Sequence, residues 1–312
     1  MRRRLPIVRE LPAADNRRVL ATPAGEQPRP RLAVWELTLR CDQKCIHCGS
    51  RAGPARPDEL DTEAALRLVR DLRALGVGEV TLLGGEAYLR NDFILVFRAI
   101  RAAGMACTLT TGGLNLTAER CAAMVEAGVS SVNLSIDGTE AAHDALRGVA
   151  GSWRRAFAAL ERLREAGARR AVNTQINRLS LAGLEDLQEL LLAAGIRGWQ
   201  LQITAPFGNA ADHPEILLQP YMYPALFEAL DRIVTRAEAA GMTIWPANNL
   251  GYFGPFEARL RRLQKRGGHY KGCGAGRTTI GIEADGAIKG CPSLGGAANV
   301  GGNVRANGLA EI

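Results

Sequence analysis

Apolar residues along this chain follow two alternating rhythms. Short runs rich in Val, Ile, Leu and Thr occupy residues 34–39, 79–83, 106–110, 131–136, 171–176 and 198–204. Between and after them lie longer stretches with apolar residues three and four apart, at 62–75, 91–103, 117–127, 152–166, 181–194 and 221–240. The short runs have the character of strands, and the longer stretches have the period of amphipathic helices. Punctuation agrees: Asp61 precedes the first helical stretch as an N-cap, and Gly76, Gly104 and Gly128 stop three of them. Repeated alternation with short connections predicts a parallel sheet, which right-handed crossovers curl toward a barrel. The expected fold is α/β, a partial (β/α)6 TIM-like barrel over residues 32–240. Sites in such folds gather at the C-terminal ends of the strands. Those ends carry the loop at 41–48, Gly84-Gly85-Glu86, Thr110-Thr111, Ser135, Gln175 and Gln202 to Thr204.

The first of these loops holds Cys41, Cys45 and Cys48 in a C-x3-C-x2-C run. Three neighbouring thiolates can hold three irons of a [4Fe-4S] cube and leave the fourth iron open for a small molecule, whereas electron-transfer clusters close every iron. The competing reading is zinc, which usually takes four protein ligands in paired blocks. Here His47 lies too close to Cys48 to fold back onto the same ion, and the next histidine is the distant His143.

With these residues the chain resembles the radical S-adenosylmethionine (SAM) enzymes, in particular the peptide-modifying branch that carries SPASM or twitch extensions. The C-x3-C-x2-C loop follows a predicted strand, with His47 where that family normally has an aromatic residue. Gly84-Gly85-Glu86 is similar to the family's GGE turn. There, glycines let the backbone approach SAM and the acidic residue accepts from its amino group. Ser135, near the end of the fourth predicted strand, would reach SAM. His143-Asp144-Ala145-Leu146-Arg147 resembles an HD-x-x-R segment whose arginine pairs with the SAM carboxylate, a match for a guanidinium fork. A solvated charge at a helix end is the plain alternative for Arg147.

A second pair, Cys273 and Cys291, has the spacing C-x12-G-x4-C around Gly286. Asp285-Gly286 between short apolar runs reads as a tight hairpin that brings its flanks together. The spacing resembles the start of an auxiliary-cluster extension, over residues 241–312 with its linker. A complete SPASM domain has further cysteines, and none follows Pro292. Two buried inert thiols are the alternative.

Composition is that of a globular chain, with 47% hydrophobic and 23% charged residues among 312. Residues 1–31 are rich in Arg and Pro and read as an extended arm. No apolar run approaches a membrane span, and no secretory h-region follows Met1. The formal charge of +7 comes without a nucleic-acid-binding motif. Cys107 and Cys121 read as small buried residues. Thiolate ligands imply a reducing cytosol.

The resemblance implies an oxidoreductase with a [4Fe-4S] cluster and SAM as cofactors and an auxiliary iron–sulfur cluster at Cys273 and Cys291. SAM chelates the open iron through its amino and carboxylate groups. It is cleaved reductively to a 5′-deoxyadenosyl radical that takes hydrogen from a substrate C–H. The implied substrate is a ribosomally made precursor peptide, with flavodoxin or ferredoxin as electron donor. A small-molecule or protein-side-chain substrate, and a non-catalytic metal-binding scaffold, are the alternatives.

Overall fold

The two rhythms become strand–helix units in chain order. In the computed structural model, which describes residues 28–250, 256–261 and 273–312, the first unit is β1 (Leu32–Thr38) and α1 (Thr62–Ala74). There follow β2 (Glu79–Gly84), α2 (Phe93–Ala102), β3 (Ala106–Thr111), α3 (Ala118–Glu126), β4 (Ser131–Ser135), α4 (Glu140–Arg147) and α5 (Ser152–Glu165). Next come β5 (Arg170–Ile176), α6 (Leu184–Ala193), β6 (Gly198–Ile203), α7 (Tyr223–Ala239) and β7 (Thr243–Pro246). The short α8 (Glu257–Leu260) precedes β8 (Thr279–Ile282), β9 (Ala287–Lys289) and β10 (Val300–Asn303). Asp61 caps α1 as expected, its Oδ1 accepting from Ala64 N at 2.8 Å. The expected N-terminal arm lies outside the described residues up to residue 27.

Among the described residues the strands form one ten-stranded sheet, ordered β10-β9-β8-β1-β2-β3-β4-β5-β6-β7. Pairing is parallel from β8 through β1 to β7. Only β9 and β10 run antiparallel to their neighbours. The expected hairpin is present between β8 and β9, turning at Gly286 with φ +89°. The barrel strands exceed the six read from the sequence: β7 adds to β6, and β8 pairs in parallel with β1, Leu32 opposite Thr279.

Strand side chains such as Trp35, Leu82, Leu109, Leu134 and Trp199 are buried. Helix stripes are buried with them, among them Leu68 and Leu72 of α1 and Leu187 and Leu191 of α6. Each such side chain contributes about 1.5–3 kcal/mol by leaving water. Cys107 and Cys121 belong to this core. No helix among the described residues is long and apolar enough to cross a membrane.

Because the barrel strands are parallel, their C-terminal ends share one edge. Thr38 lies opposite Gly84, Thr111 opposite Leu134, Ser135 opposite Asn173, and Gln175 opposite Gln202. The cysteine loop springs from that edge.

Candidate active site

The loop after β1 is held along its backbone from both sides. Lys44 N and Ile46 N donate to the carbonyls of Arg147 and Leu146, at 3.1 and 3.0 Å. Carbonyls at a helix C-terminus have no partner within the helix, so the last turn of α4 supplies acceptors that fix the loop. Gly148 ends α4 with φ +65°, and a Cβ there would lie 2.6 Å from Lys44 O. On the other side Asn209 N donates to Cys48 O at 2.8 Å and Asn209 Nδ2 to Cys45 O at 2.9 Å.

The thiols receive donors as well. Gln43 N lies 3.4 Å from Cys41 Sγ, Ala52 N 3.4 Å from Cys48 Sγ, and Arg147 Nη1 3.7 Å from Cys45 Sγ. Hydrogen bonds to sulfur and nearby positive charge favour thiolate and are among the factors that tune iron–sulfur clusters. Burial pushes the Cys41 thiol up to about 12. Metal binding there must therefore displace a proton. Among the described residues no three or more His, Cys, Asp or Glu side chains are grouped to hold a metal ion. The three thiols are separate donors along one loop, with backbone N–H groups and a guanidinium directed at them. That donor set fits a multi-iron cluster.

The Gly84-Gly85-Glu86 turn packs against the start of this loop. Gly85 N donates to Thr38 O and Glu86 N to Arg40 O, both at 2.8 Å. A Cβ on Gly84, where φ is +135°, would lie 2.1 Å from Thr38 O, and one on Gly85 2.3 Å from Arg40 O. The close approach these glycines permit in the structure is thus to the chain at Thr38 and Arg40, where the sequence suggested approach to a ligand. Glu86 is buried, accepting from Thr111 Oγ1 and, at 2.6 Å, from Gly112 N. Burial raises its carboxyl to about 8 against the opposing pull of the Thr111 hydrogen bond.

The His143-to-Arg147 segment lies on α4, and its three polar residues do three different things. Asp144 accepts from Gly151 N, Ser152 Oγ and Trp153 N and so caps α5. His143 Nδ1 accepts from Asp137 N at 3.1 Å. Burial, then Arg147, lowers that ring to about 4 and keeps it neutral near pH 7. Arg147 is buried, with Nη2 2.5 Å from Asp137 Oδ2. It is therefore no solvated helix-end charge. Asp137 also faces His47 Nε2 at 3.1 Å and accepts from Gln175 N at 2.7 Å. Burial would raise the Asp137 carboxyl, but Arg147 and His47 outweigh it and hold the group well below the usual carboxylate range. Ser135 ends β4 at the same edge, half-buried.

Cys273 and Cys291 flank the β8–β9 hairpin, whose ends are drawn together by Gly276 N donating to Gly290 O at 2.6 Å. Cys273 is exposed, and Cys291 is half-buried. Asn248 Nδ2, just past β7, donates to Cys273 Sγ at 3.2 Å, and Ala275 N at 3.4 Å.

The sequence placed Thr111 at the site edge but did not single out Asp137, Gln43 or Asn209. Asp137 had a signal, an acid closing an apolar strand with Gly138 after it. Asn209 had none, since its cysteine partners Cys45 and Cys48 lie more than 160 residues away.

A family model described as the radical SAM superfamily matches residues 35–191, and the chain belongs to that superfamily. Its cofactors are a [4Fe-4S] cluster and SAM. Mycofactocin maturase MftC of Mycobacterium ulcerans is 31% identical over 84% of this chain and 68% of its own length. An AdoMet-dependent heme synthase of Oleidesulfovibrio alaskensis is 32% identical over 59% of this chain and 48% of its own length. The chain spans about half the length of the curated heme synthases it matches. Among solved structures, Streptococcus suis SuiB bound to precursor peptide SuiA superposes with a TM-score of 0.70. It covers 91% of this chain and 64% of that one at 19% identity, a likeness of fold.

Proposed function

We propose that the chain is a SAM-cleaving radical enzyme whose substrate is a precursor peptide. The observation that carries the radical chemistry is the Cys41, Cys45 and Cys48 loop, locked between the end of α4 and the Gly84–Glu86 turn with Arg147 against Cys45. In this reading the three thiolates hold the [4Fe-4S] cluster. The chemistry supplied there is reductive cleavage of SAM to methionine and a 5′-deoxyadenosyl radical, which removes hydrogen from a substrate C–H. Glu86 accepts from the SAM amino group. Arg147 places positive charge beside the SAM carboxylate while Asp137 fixes its orientation. Ser135 faces the ligand from the end of β4.

The peptide assignment rests on the longer match. Likeness to mycofactocin maturase runs over 272 residues, more than the barrel alone, whereas that to heme synthase runs over 186. A relative named PqqA peptide cyclase is 33% identical over 216 residues. The heme synthases favour the second reading, a small-molecule substrate on the same barrel. In the first reading, the β8–β9 hairpin and its flanks contribute an auxiliary-cluster site with Cys273 and Cys291 as ligands, while β7 and β8 extend the barrel sheet. The electron donor is a flavodoxin or ferredoxin.

Co-expression with short peptides encoded beside the gene, followed by mass spectrometry, separates the readings. The peptide reading expects a mass change in one of them that depends on Cys41, Cys45 and Cys48. Unaltered peptides, together with SAM turnover stimulated by a small molecule, would transfer the assignment to the second reading.

A further inference from the structure

Gln43 lies inside the cysteine loop, and its side chain is buried to 4% exposure. Its Oε1 accepts from Arg147 Nη1 at 3.5 Å and from the Cys45 thiol at 3.6 Å. The amide lies against Gly112, so closely that a Cβ there would come within 2.5 Å of Oε1 and 2.6 Å of Nε2. Gly112 is also the residue whose N–H holds Glu86. Nε2 is buried with no hydrogen-bond partner.

The orientation of this amide follows from its neighbours. A guanidinium can only donate, so Arg147 requires the oxygen of Gln43 to face it, and Nε2 is left as the end without a partner. A buried donor without an acceptor costs about 1–3 kcal/mol. Nε2 is thus a buried donor, beside the cysteine loop, open to an acceptor that arrives from outside the chain.

We propose that Gln43 reads the amino-acid end of SAM, its Nε2 donating to the SAM carboxylate. The proposal rests on the cysteine loop being the cluster site. In that reading SAM would bring its amino and carboxylate groups to the cluster that Cys41, Cys45 and Cys48 would hold. The Gln43 amide already lies one hydrogen bond from Cys45 Sγ, between Arg147 on one side and Gly112 with Glu86 on the other. Of the two groups on that end of SAM, only the carboxylate accepts strongly. Arg147 supplies the charge, and Gln43 supplies a second, neutral donor that fixes where the carboxylate lies.

The test uses anaerobically reconstituted full-length protein, with Gln43→Leu and Gln43→Glu beside the unaltered chain. Two probes are titrated: SAM, and 5′-methylthioadenosine, which has the nucleoside without the amino acid. The expected result is unchanged iron content and a SAM affinity lowered about tenfold by Leu, the size of one lost hydrogen bond, and further by Glu. Affinity for 5′-methylthioadenosine stays the same. Leu also removes the oxygen that Arg147 Nη1 and the Cys45 thiol use, so affinity for 5′-methylthioadenosine serves as the control for any general disturbance of the site. Unchanged SAM affinity in the Leu variant would overturn the proposal, as would equal losses for both probes. Loss of iron in both variants would assign Gln43 to cluster assembly instead and overturn it too. An unaltered protein that carries the cluster and binds no SAM would bring down the reading of the loop, and the role of Gln43 with it.

Discussion

Arg147 Nη1 lies 3.7 Å from Cys45 Sγ, so a buried guanidinium on α4 touches one of the three loop thiols. The same side chain is anchored by Asp137, whose second oxygen is fixed by Gln175 N. Removing one member of a buried ion pair leaves the other uncompensated and costs about 3–5 kcal/mol. Asp137→Ala is expected to lower the unfolding free energy by that order in ligand-free protein, and Arg147→Met likewise. Stability within about 1 kcal/mol of the unaltered protein in both variants would contradict the pairing.

Two nearby glycines make a paired test of the loop. A Cβ on Gly85 would strike the backbone at Arg40, whereas a Cβ on Gly53 meets nothing within 4 Å. Gly85→Ala is expected to displace the loop at a cost of about 1–3 kcal/mol and to reduce iron uptake on reconstitution. Gly53→Ala keeps both. Equal iron content in the two variants would show that the turn does not support the cysteine loop.

Glu86 has two duties to separate, holding Thr111 and Gly112 and accepting from SAM. Glu86→Ala loses both, and a charge-assisted bond is worth about 1.5–3 kcal/mol, or roughly ten- to hundredfold in SAM affinity. Glu86→Gln retains an oxygen for Gly112 N and loses less. Calorimetric titration with SAM checks the order. Alanine and glutamine variants that bind as tightly as the unaltered protein would remove Glu86 from the SAM site.

His143 gives stability a pH dependence of known sign. Its folded value, about 4, lies below the unfolded 6.5, so the unfolded chain takes up the proton first. The stability that comes from keeping the ring neutral is present above about pH 6.5 and is lost as pH falls toward 4. The full loss from this group is of order ~3 kcal/mol. His143→Asn keeps an acceptor for Asp137 N and should lose less stability between about pH 7 and pH 5 in urea unfolding. An equal loss in both proteins would place the sensitivity elsewhere.

Cys273 and Cys291 are expected to hold iron beyond the main cluster. The Cys273→Ala, Cys291→Ala double variant should lose that iron and product formation while SAM cleavage without product survives. Full turnover in it would make the pair structural.

Strand and helix periods made the barrel legible from β1 to α7 apart from α4 (Glu140–Arg147), which is too short to show its own repeat, because each other unit carries its own apolar stripe and stop signal. β7 escaped because it is only four residues long, ends in Pro246, and leaves Trp245 half-exposed. The pairing of β8 with β1 was invisible because it joins residues nearly 250 apart. At the site, spacing singled out the three loop cysteines as candidates, and the family resemblance singled out the Gly84–Glu86 turn and Arg147. Long-range partners gave no local signal: that Asp137 would bind Arg147 and His47, or that the glycines would serve the backbone at Thr38 and Arg40, follows only from how the strands lie together.

The central claim is that the Cys41, Cys45 and Cys48 loop supports reductive cleavage of SAM. The direct measurement is 5′-deoxyadenosine released by anaerobically reconstituted, chemically reduced protein, beside a variant with all three cysteines changed to alanine. The account predicts 5′-deoxyadenosine and methionine from the unaltered protein, with about four irons at the main site, and neither cluster nor cleavage in the triple variant. Cleavage that persists in the triple variant, or a fully iron-loaded unaltered protein that yields none, would contradict it.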